Sequence, residues 1–571
     1  MELTIHLVPD IRLRREYFGG LVYDTRNGNI LEVDKSTFEL LNLIKNTTLK
    51  IHDAITFLVQ NNTIGKHDKS INRTLQTLFA LKIIEESNES SQVPTFMTGN
   101  LNKINHRPWL SAPETVHWAV TYSCDKNCPD CYTGRFSYSK KELETGEAMR
   151  LIDKIADWGV FQLAIGGGEP TLRKDLPELL SHAVTRGLSV HITTGNLHID
   201  PHLLESVCPL LNSLQLGIRP DDITGQHSKK SIQQIQDIFT AIQRFGITPG
   251  ANLFLTKSAI EQLENLIKIF VDIGFNRIIL LRYKPPESIE RWKRENPDFG
   301  QLKGLYQKIN NIIKEYPQLY IRIDCALSFV QRNLTKELAS QSGLKGCVSA
   351  DRILAVAPDG SVYPCSQLVH PACYVGNLLE SEPELLWGQS QVLRKYRSFR
   401  TKKVFKHSWC GVCLAKCHCG GCRVFTSDGL GGDLGCPEPL LPPTTQLGKI
   451  GRQLELVKYL KDHRTISVGE YMNRYGVSQR KAIKELNTSP CLVSTTGKST
   501  RKKRDIYQYV ENDIILDIQE SIGSTSGGVP FVSYEQISEW IKDTSYTNNY
   551  PVWIKQEKGK NGGMDENIKH T

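Results

Sequence analysis

No apolar run in this chain of 571 residues reaches the roughly 20 needed to span a bilayer. The opening, Met1-Glu-Leu-Thr-Ile-His6, lacks the basic and apolar regions of a secretory signal. A strong excess of one charge is missing as well. Lys and Arg outnumber Asp and Glu 70 to 61, which permits an acidic partner without demanding nucleic acid. These absences argue against a membrane anchor and an export signal, and the expected compartment is a reducing cytoplasm. Evenly spread cysteine is also lacking. The 15 cysteines bunch, three in eight residues and five between 410 and 422, and such spacings suit metal better than disulfides. Hydrophobic residues make up 39%, enough for packed cores. The length predicts roughly three or four domains.

The most informative stretch is Cys124-Asp-Lys-Asn-Cys128-Pro-Asp-Cys131-Tyr132, directly after the strand-like run Val116–Tyr122. Three thiolates spaced C-x3-C-x2-C on one loop can hold three irons of a [4Fe–4S] cube. The fourth iron is left open and can bind and reduce a small molecule, whereas a four-Cys cluster is coordinatively closed. Zinc is the alternative, but a structural zinc site wants four protein ligands, and no further Cys or His completes this loop. The spacing resembles that of the radical S-adenosylmethionine (SAM) enzymes. Their cluster loop carries an aromatic residue before the last Cys or just after it, and Tyr132 fills the latter position.

From about 113 to 330 strand-like runs alternate with amphipathic stretches. The strands are Val116–Tyr122, Phe161–Ile165, Ser189–Thr193, Ser213–Ile218, Gly250–Leu255 and Arg277–Leu281; helices such as Gly146–Trp158 and Ala259–Ile273 lie between them. This alternation predicts βα units around a parallel sheet, an α/β fold. The resemblance specifies it as a partial (β/α)6 radical SAM barrel with its chemistry at the strand ends. By the family's Gly-Gly-Glu-Pro turn, Gly167, Gly168, Glu169 and Pro170 would bind the methionine amino group of SAM. Thr194 and Asn196 stand where the family contacts the ribose, although Gly195-Asn196 reverses the usual Asn-Gly order. Arg219 is a candidate for the SAM carboxylate, or an ordinary loop cation. Leu280-Leu-Arg282-Tyr283-Lys284-Pro285-Pro286 ends a later strand and either contacts SAM or substrate or forms a solvated rim.

The resemblance implies that an electron from the cluster breaks the SAM C5′–S bond. The resulting 5′-deoxyadenosyl radical then takes a hydrogen from an unreactive C–H. An electron donor such as flavodoxin or ferredoxin is the implied partner.

Beyond 340, Cys347, Cys365, Cys410, Cys413, Cys419, Cys422 and Cys436 resemble the SPASM pattern, with one spacing of two residues (419 to 422) in place of three. By that pattern two auxiliary [4Fe–4S] clusters are implied. Cys410, Cys413, Cys419 and Cys436 would hold the distal one. Cys347, Cys365 and Cys422 would hold the nearer, with Cys373 or an open iron as its fourth position. A zinc ribbon is the alternative for 410–422. Cys417 reads as a spare thiol, and Cys208, Cys325 and Cys491 as isolated, buried small hydrophobes.

Residues 1–85 are expected to form a small winged-helix unit. Ile11–Asp24 reads as one strand, Thr25–Asn29 as a turn containing Asn27-Gly28, and Ile30–Val33 as the returning strand. Asp34 then caps the first of three helices, the others near 50–60 and 69–82. The unit looks like a PqqD-like peptide-recognition element, which implies that the leader of a precursor peptide adds a strand to its sheet. A purely structural or DNA-binding winged helix is the alternative.

Residues 86–112 read as a linker, 113–330 as the barrel and 331–443 as the SPASM domain. After these, 444–554 read as a winged-helix-like extension and 555–571 as a disordered tail. In the extension Leu454–Leu460, Val468–Tyr475 and Gln479–Leu486 are expected helices. Leu492–Thr495 and Ile506–Val510 flank a basic wing at 497–504. Nucleic acid is its functional reading, and a solvated charge run the plainer one.

The leading expectation is therefore a radical SAM/SPASM maturase that cross-links, epimerises or excises part of a ribosomally made precursor peptide. A sulfatase-maturase type of enzyme and an iron–sulfur DNA-binding regulator are the alternatives.

Overall fold

The computed structural model describes residues 4–61, 68–87, 109–133, 142–284, 292–331, 346–436, 465–487, 492–494 and 506–509, together with Leu456, apart from short breaks inside these spans. The expected helix at 454–460 (save Leu456), the basic wing, the terminal tail, Pro285-Pro286 and Tyr132 lie outside the described residues.

The N-terminal unit is built on two small sheets. β1 (Thr4–Leu7) pairs antiparallel with β5 (Leu49–Lys50) and β6 (Ile84–Ser87). β2 (Ile11–Glu16), β3 (Gly19–Asp24) and β4 (Asn29–Asp34) form an antiparallel meander with β3 in the centre. The expectation of one strand over 11–24 is thus corrected: Tyr17-Phe18 turns it into two. Gly20 follows that turn because a Cβ there would enter the Phe38 ring, which presses on the sheet from the first helix, Lys35–Leu43. Asp34 caps that helix, its Oδ1 accepting from Thr37 N at 2.8 Å. Helices Ile51–Asn61 and Asp68–Ala80 complete the unit.

The central sheet has ten strands in the order β13-β12-β11-β10-β9-β8-β7-β14-β15-β16. β7 (Thr115–Thr121), β8 (Gln162–Gly167), β9 (Ser189–Thr194), β10 (Ser213–Ile218), β11 (Gly250–Leu255), β12 (Arg277–Arg282) and β13 (Tyr320–Ile323) all run parallel. β13 is a seventh strand beyond the six expected. β7 explains the layering. Val116, Trp118 and Val120 are fully buried against the helices, while Thr115, His117 and Ala119 alternate toward the inner face and are half-buried. The helix expected over 259–273 breaks at Gln262 into Lys257–Glu261 and Leu263–Ile273. β14 (Ile353–Val356) joins the free side of β7 in parallel, and β15 (Ser361–Tyr363) and β16 (Gly376–Asn377) follow antiparallel. The cysteine-rich region therefore continues the barrel sheet.

In the C-terminal unit β17 (Thr465–Ser467), β18 (Leu492–Ser494) and β19 (Ile506–Tyr509) form an antiparallel sheet beside helices Val468–Tyr475 and Gln479–Asn487. Ile466, Val468, Tyr471, Ala482 and Leu486 make its core.

The meander docks on the end of the barrel where the strands begin. Arg14, 9% exposed, donates to Ala112 O (2.8 Å), Pro113 O (2.9 Å) and Gly159 O (2.8 Å), and to Glu16 Oε1 at 2.8 Å. Glu16 accepts in turn from Ser111 N. Tyr23 stacks on Phe161 with centroids 5.1 Å apart, and Asn212 Nδ2 reaches Thr25 O. Residues 109–112, the end of the stretch read as a linker, are thus packed between the two units. Removing one side of a buried charge pair costs about 3 kcal/mol. Arg14→Ala is accordingly expected to lower the melting temperature and to expose 1–87 to limited proteolysis while the barrel fragment survives. Unchanged protease resistance would contradict this account of the docking.

Candidate active site and metal centres

The cysteine loop leaves the end of β7. Cys131 N donates to Cys128 O at 3.1 Å, and Lys126 N approaches Cys124 Sγ at 3.4 Å, so the loop curls back on its own sulfurs. Cys131 Sγ lies 2.9 Å from Thr133 Oγ1. Cys124 is exposed and the other two are half-buried. Burial pushes the Cys128 thiol above its ordinary value; Cys131 and Cys124 add to this, while Arg219 and Lys126 oppose it. Those two cations favour the thiolates that metal binding requires.

The end of β8 presses against the root of this loop. Gly168 N donates to Thr121 O (2.8 Å) and Glu169 N to Ser123 O (2.9 Å). Gly167 has φ +114°, and a Cβ there would strike Thr121 O, as one on Gly168 would strike Ser123 O. The two glycines serve this backbone contact first. Glu169, 2% exposed, ties the next strand in. Its Oε1 accepts from Thr171 N (3.1 Å), Thr171 Oγ1 (2.8 Å) and Thr194 Oγ1 (2.7 Å), and its Oε2 accepts from Gly195 N (3.0 Å). Asn196 Nδ2 reaches Thr171 Oγ1 at 3.1 Å, and Lys126 Nζ donates to Gly195 O. Pro170 is buried at the start of the following turn. Cys124, Cys128, Cys131, Gly167, Gly168, Glu169, Thr194 and Asn196 are thus gathered at the ends of three adjacent strands, and Arg219, at the end of the fourth, acts on Cys128.

Beside this assembly there is room. A Cβ on Gly166 would meet nothing within 4 Å, and those on Gly195 and Gly217 would meet their nearest atoms at 3.9 and 3.6 Å. Asn252, paired with Gly217 in register, has a buried Oδ1 with no partner among the described residues. An open space edged by glycine backbone, an unsatisfied amide oxygen and three thiols fits a cluster with SAM on it. Deeper in the barrel His117 and His191 are held neutral. Burial, with Arg322 next, pushes each down to about 4.

Of the segment Leu280–Pro286 residues 280–284 are described, and Arg282, Tyr283 and Lys284 each have a partner inside the protein. Arg282 pairs with Asp433 through two bonds (2.7 and 3.1 Å), both side chains being within 4% of full burial. Its guanidinium lies 3.5 Å from the Phe425 ring centroid. Tyr283 stacks on Phe254, and Lys284 pairs with Asp324. Burial alone would raise the Asp324 carboxyl, but Lys284 outweighs it and holds the carboxylate below its ordinary range.

Asp433 also organises the second cysteine field. Its Oδ2 accepts from Cys422 N (2.9 Å), its own N–H points at Cys410 Sγ (3.2 Å) and its carbonyl accepts from Cys436 N (3.2 Å). The thiols fall into groups: Cys347 acts on both Cys365 and Cys422, and Cys419 acts on Cys410. Cys347, Cys410, Cys413 and Cys422 are buried; Cys365, Cys419 and Cys436 are half-buried. Among the described residues no three His, Cys, Asp or Glu side chains stand close enough to share one metal ion. A [4Fe–4S] cube places each thiolate on a different iron, so it does not require three on one ion. Cys208 sits in the apolar core, Cys417 and Cys491 lie outside the described residues, and Cys325 is no core residue but stands beside Asp324. Sequence reasoning missed Lys126, Asn252, Asp324 and Asp433. Only Lys126 (between two cluster cysteines) and Asp433 (three before Cys436) carried a local signal.

Comparison with known proteins agrees with this geometry. A family model of the radical SAM superfamily matches residues 118–256, and one of an iron–sulfur cluster-binding domain, SPASM, matches 347–418. The chain is 30% identical over 300 residues to the PqqA peptide cyclase of Xanthomonas oryzae pv. oryzae, covering 50% of this chain and 77% of that one. It is 23% identical over 322 residues to the mycofactocin maturase MftC of Mycolicibacterium smegmatis, covering 55% and 78%. Among solved structures, Streptococcus suis SuiB bound to its precursor peptide SuiA superposes with a TM-score of 0.53 at 18% identity, over 75% of this chain and 98% of that one. The chain belongs to the radical SAM superfamily. It is a radical SAM enzyme with a SPASM domain, and its cofactors are [4Fe–4S] clusters and SAM.

When bound, those groups supply a radical able to take hydrogen from an unreactive C–H bond. The chain's own residues fix the frame. Glu169 locks the strand ends around the open space, Lys126 fastens the cysteine loop to Gly195, and Arg219 lends positive charge. Glu169→Gln puts an amide N–H against donors that need an acceptor, at about 1–3 kcal/mol. SAM affinity measured by calorimetry on anaerobically reconstituted enzyme should fall by roughly tenfold or more, with iron content unchanged. Unaltered affinity would contradict this role for Glu169.

Proposed function

We propose that this enzyme modifies a ribosomally synthesised precursor peptide by hydrogen abstraction, forming a cross-link, inverting a stereocentre or excising a fragment. The observation that carries the reading is the N-terminal unit. It has its own core, it is fastened to the barrel by Arg14 and Glu16, and among the described residues the outer edges of β2 and β4 pair with no further strand. A PqqD-like recognition element would receive a leader peptide along such an edge. The names of the relatives, a peptide cyclase and a maturase, and the SuiB complex with a precursor peptide, support the substrate class.

In this reading Cys124, Cys128 and Cys131 hold the SAM-binding cluster, and Gly167, Gly168, Glu169, Pro170, Thr194, Asn196 and Arg219, with Tyr132, surround SAM. The SPASM cysteines hold two auxiliary clusters, a flavodoxin or ferredoxin supplies electrons, and the enzyme works in the cytoplasm. The described residues include no helix long and apolar enough to cross a membrane. A second reading, an iron–sulfur regulator on DNA, draws on the C-terminal unit, where Arg480, Lys481 and Lys484 are exposed on one helix. It predicts salt-sensitive DNA binding without SAM turnover.

The deciding experiment is anaerobic co-expression with a small peptide encoded beside the gene, followed by mass spectrometry. Loss of two hydrogens means a cross-link or dehydrogenation, loss of a larger fragment means excision, and a mass unchanged in ordinary water but raised by deuterium in heavy water means epimerisation. SAM cleavage with an untouched peptide in every assay would overturn the reading. Separately, adding that peptide's leader should slow amide hydrogen exchange within 11–16 or 29–34. Exchange that stays the same in both segments would remove the N-terminal unit from the proposal.

A further inference from the structure

The near auxiliary cluster has three clear cysteines, and the chain contains two candidates for a fourth. Cys373 is buried in the apolar core with Sγ 3.3 Å from Tyr396 Oη, and the neighbours that act on it are Tyr396 and Lys395. Among the described residues no hydrogen bond ties it to Cys347, Cys365 or Cys422.

Cys325 is placed differently. It opens the short turn Cys325–Leu327 directly after β13, at the strand-end face of the barrel. Asp324 caps that turn, its Oδ1 accepting from Ala326 N at 3.1 Å, and Ser328 Oγ holds the Cys325 carbonyl at 2.5 Å. The next carbonyl, Ala326 O, accepts from Arg282 Nη1 at 3.0 Å. The same guanidinium grips Asp433, whose carboxylate holds Cys422 N. One buried ion pair therefore fixes the backbone beside Cys325 and the backbone of Cys422 together. Cys347 and Cys422 both act on Cys325, and Lys284 acts on Cys325, Cys365 and Cys422 alike. Cys325 and Cys365 are each half-buried.

We propose that Cys325 is the fourth thiolate of the near auxiliary cluster, completing the set Cys347, Cys365 and Cys422. The proposal rests on the assignment of those three to a cluster. On ligation the Cys325 thiol gives its proton to solvent and its sulfur binds the remaining iron, with no change of oxidation state. The cluster is then coordinatively closed, suited to passing electrons and unable to bind substrate.

The test begins with anaerobic alkylation of the reconstituted full-length enzyme by iodoacetamide, with sites read by mass spectrometry, against the same protein stripped of iron by a chelator. Cys325 should be protected in the loaded enzyme and labelled in the stripped one. Equal labelling in both overturns the proposal.

A second measurement uses the Cys124→Ala/Cys128→Ala/Cys131→Ala enzyme, in which only auxiliary clusters remain. Its reduced spectrum should show no coupling to added 13C-cyanide, and adding Cys325→Ala should create that coupling. Coupling already present without that change, or absent after it, overturns the ligand assignment. A triple variant that holds no iron overturns the auxiliary-cluster reading itself, an outcome separate from free labelling of Cys325 on an iron-loaded protein.

Discussion

The buried ion pair between Arg282 and Asp433 ties the barrel sheet to the last cysteine loop. A buried guanidinium and a buried carboxylate each lose several kcal/mol of hydration, recovered only when geometry and further hydrogen bonds are good. Here they are. The pair is bidentate, Phe425 covers the guanidinium, Ala326 O takes another N–H, and Cys422 N and Gly435 N occupy the remaining carboxylate positions. Arg282 ends the sixth barrel strand and Asp433 lies in the last cysteine loop, so one interaction locks the catalytic sheet and the cluster-binding loops into one register. Cys410 Sγ accepts from the N–H of this aspartate, Cys422 N donates to its carboxylate and Cys436 N to its carbonyl.

Much of the frame was legible in the sequence because its signals are local. The alternation of buried and half-buried residues in β7, the capping aspartate before Lys35–Leu43 and the tight cysteine spacing each act within a few residues. What escaped notice is non-local. Arg14 meets its carbonyl acceptors 98 and more residues away, and Arg282 meets Asp433 across 151. In sequence each is one arginine among many. Ile11–Asp24 read as a single strand because Tyr17-Phe18 carries none of the usual turn residues, and the reason for Gly20 becomes visible only once Phe38 is on top of it. Arg282-Tyr283-Lys284 read as a mouth because polar groups at strand ends usually face a ligand. In the fold Arg282 holds the second cysteine field against the barrel, while Tyr283 and Lys284 pair within the barrel itself, with Phe254 and Asp324.

The glycines at the strand ends divide into two roles that sequence alone merges. Gly167 and Gly168 are small so that two backbones can touch, whereas a Cβ on Gly166, Gly195 or Gly217 would meet nothing nearer than 3.6 Å. The first pair sets the height of the cysteine loop above the sheet. The second set leaves the space beside it, with Asn252 as its unsatisfied polar wall. A cofactor site is defined here as much by what the side chains vacate as by what they supply.

The meander rests on residues 112, 113, 159, 161 and 212, all at or before the starts of barrel strands, whereas the cysteine loop follows a strand end. If a leader is held there, it lies on the far side of the barrel from the chemistry. β7 and β8, seven and six residues long, separate the two faces by ~20 Å at about 3.3 Å per residue. An extended chain covers at most about 3.6 Å per residue, so at least ~6 residues must run up the outside of the barrel. The barrel then acts as a measuring rod: the position modified in a substrate is set by how much chain separates it from the leader, as well as by its own side chain.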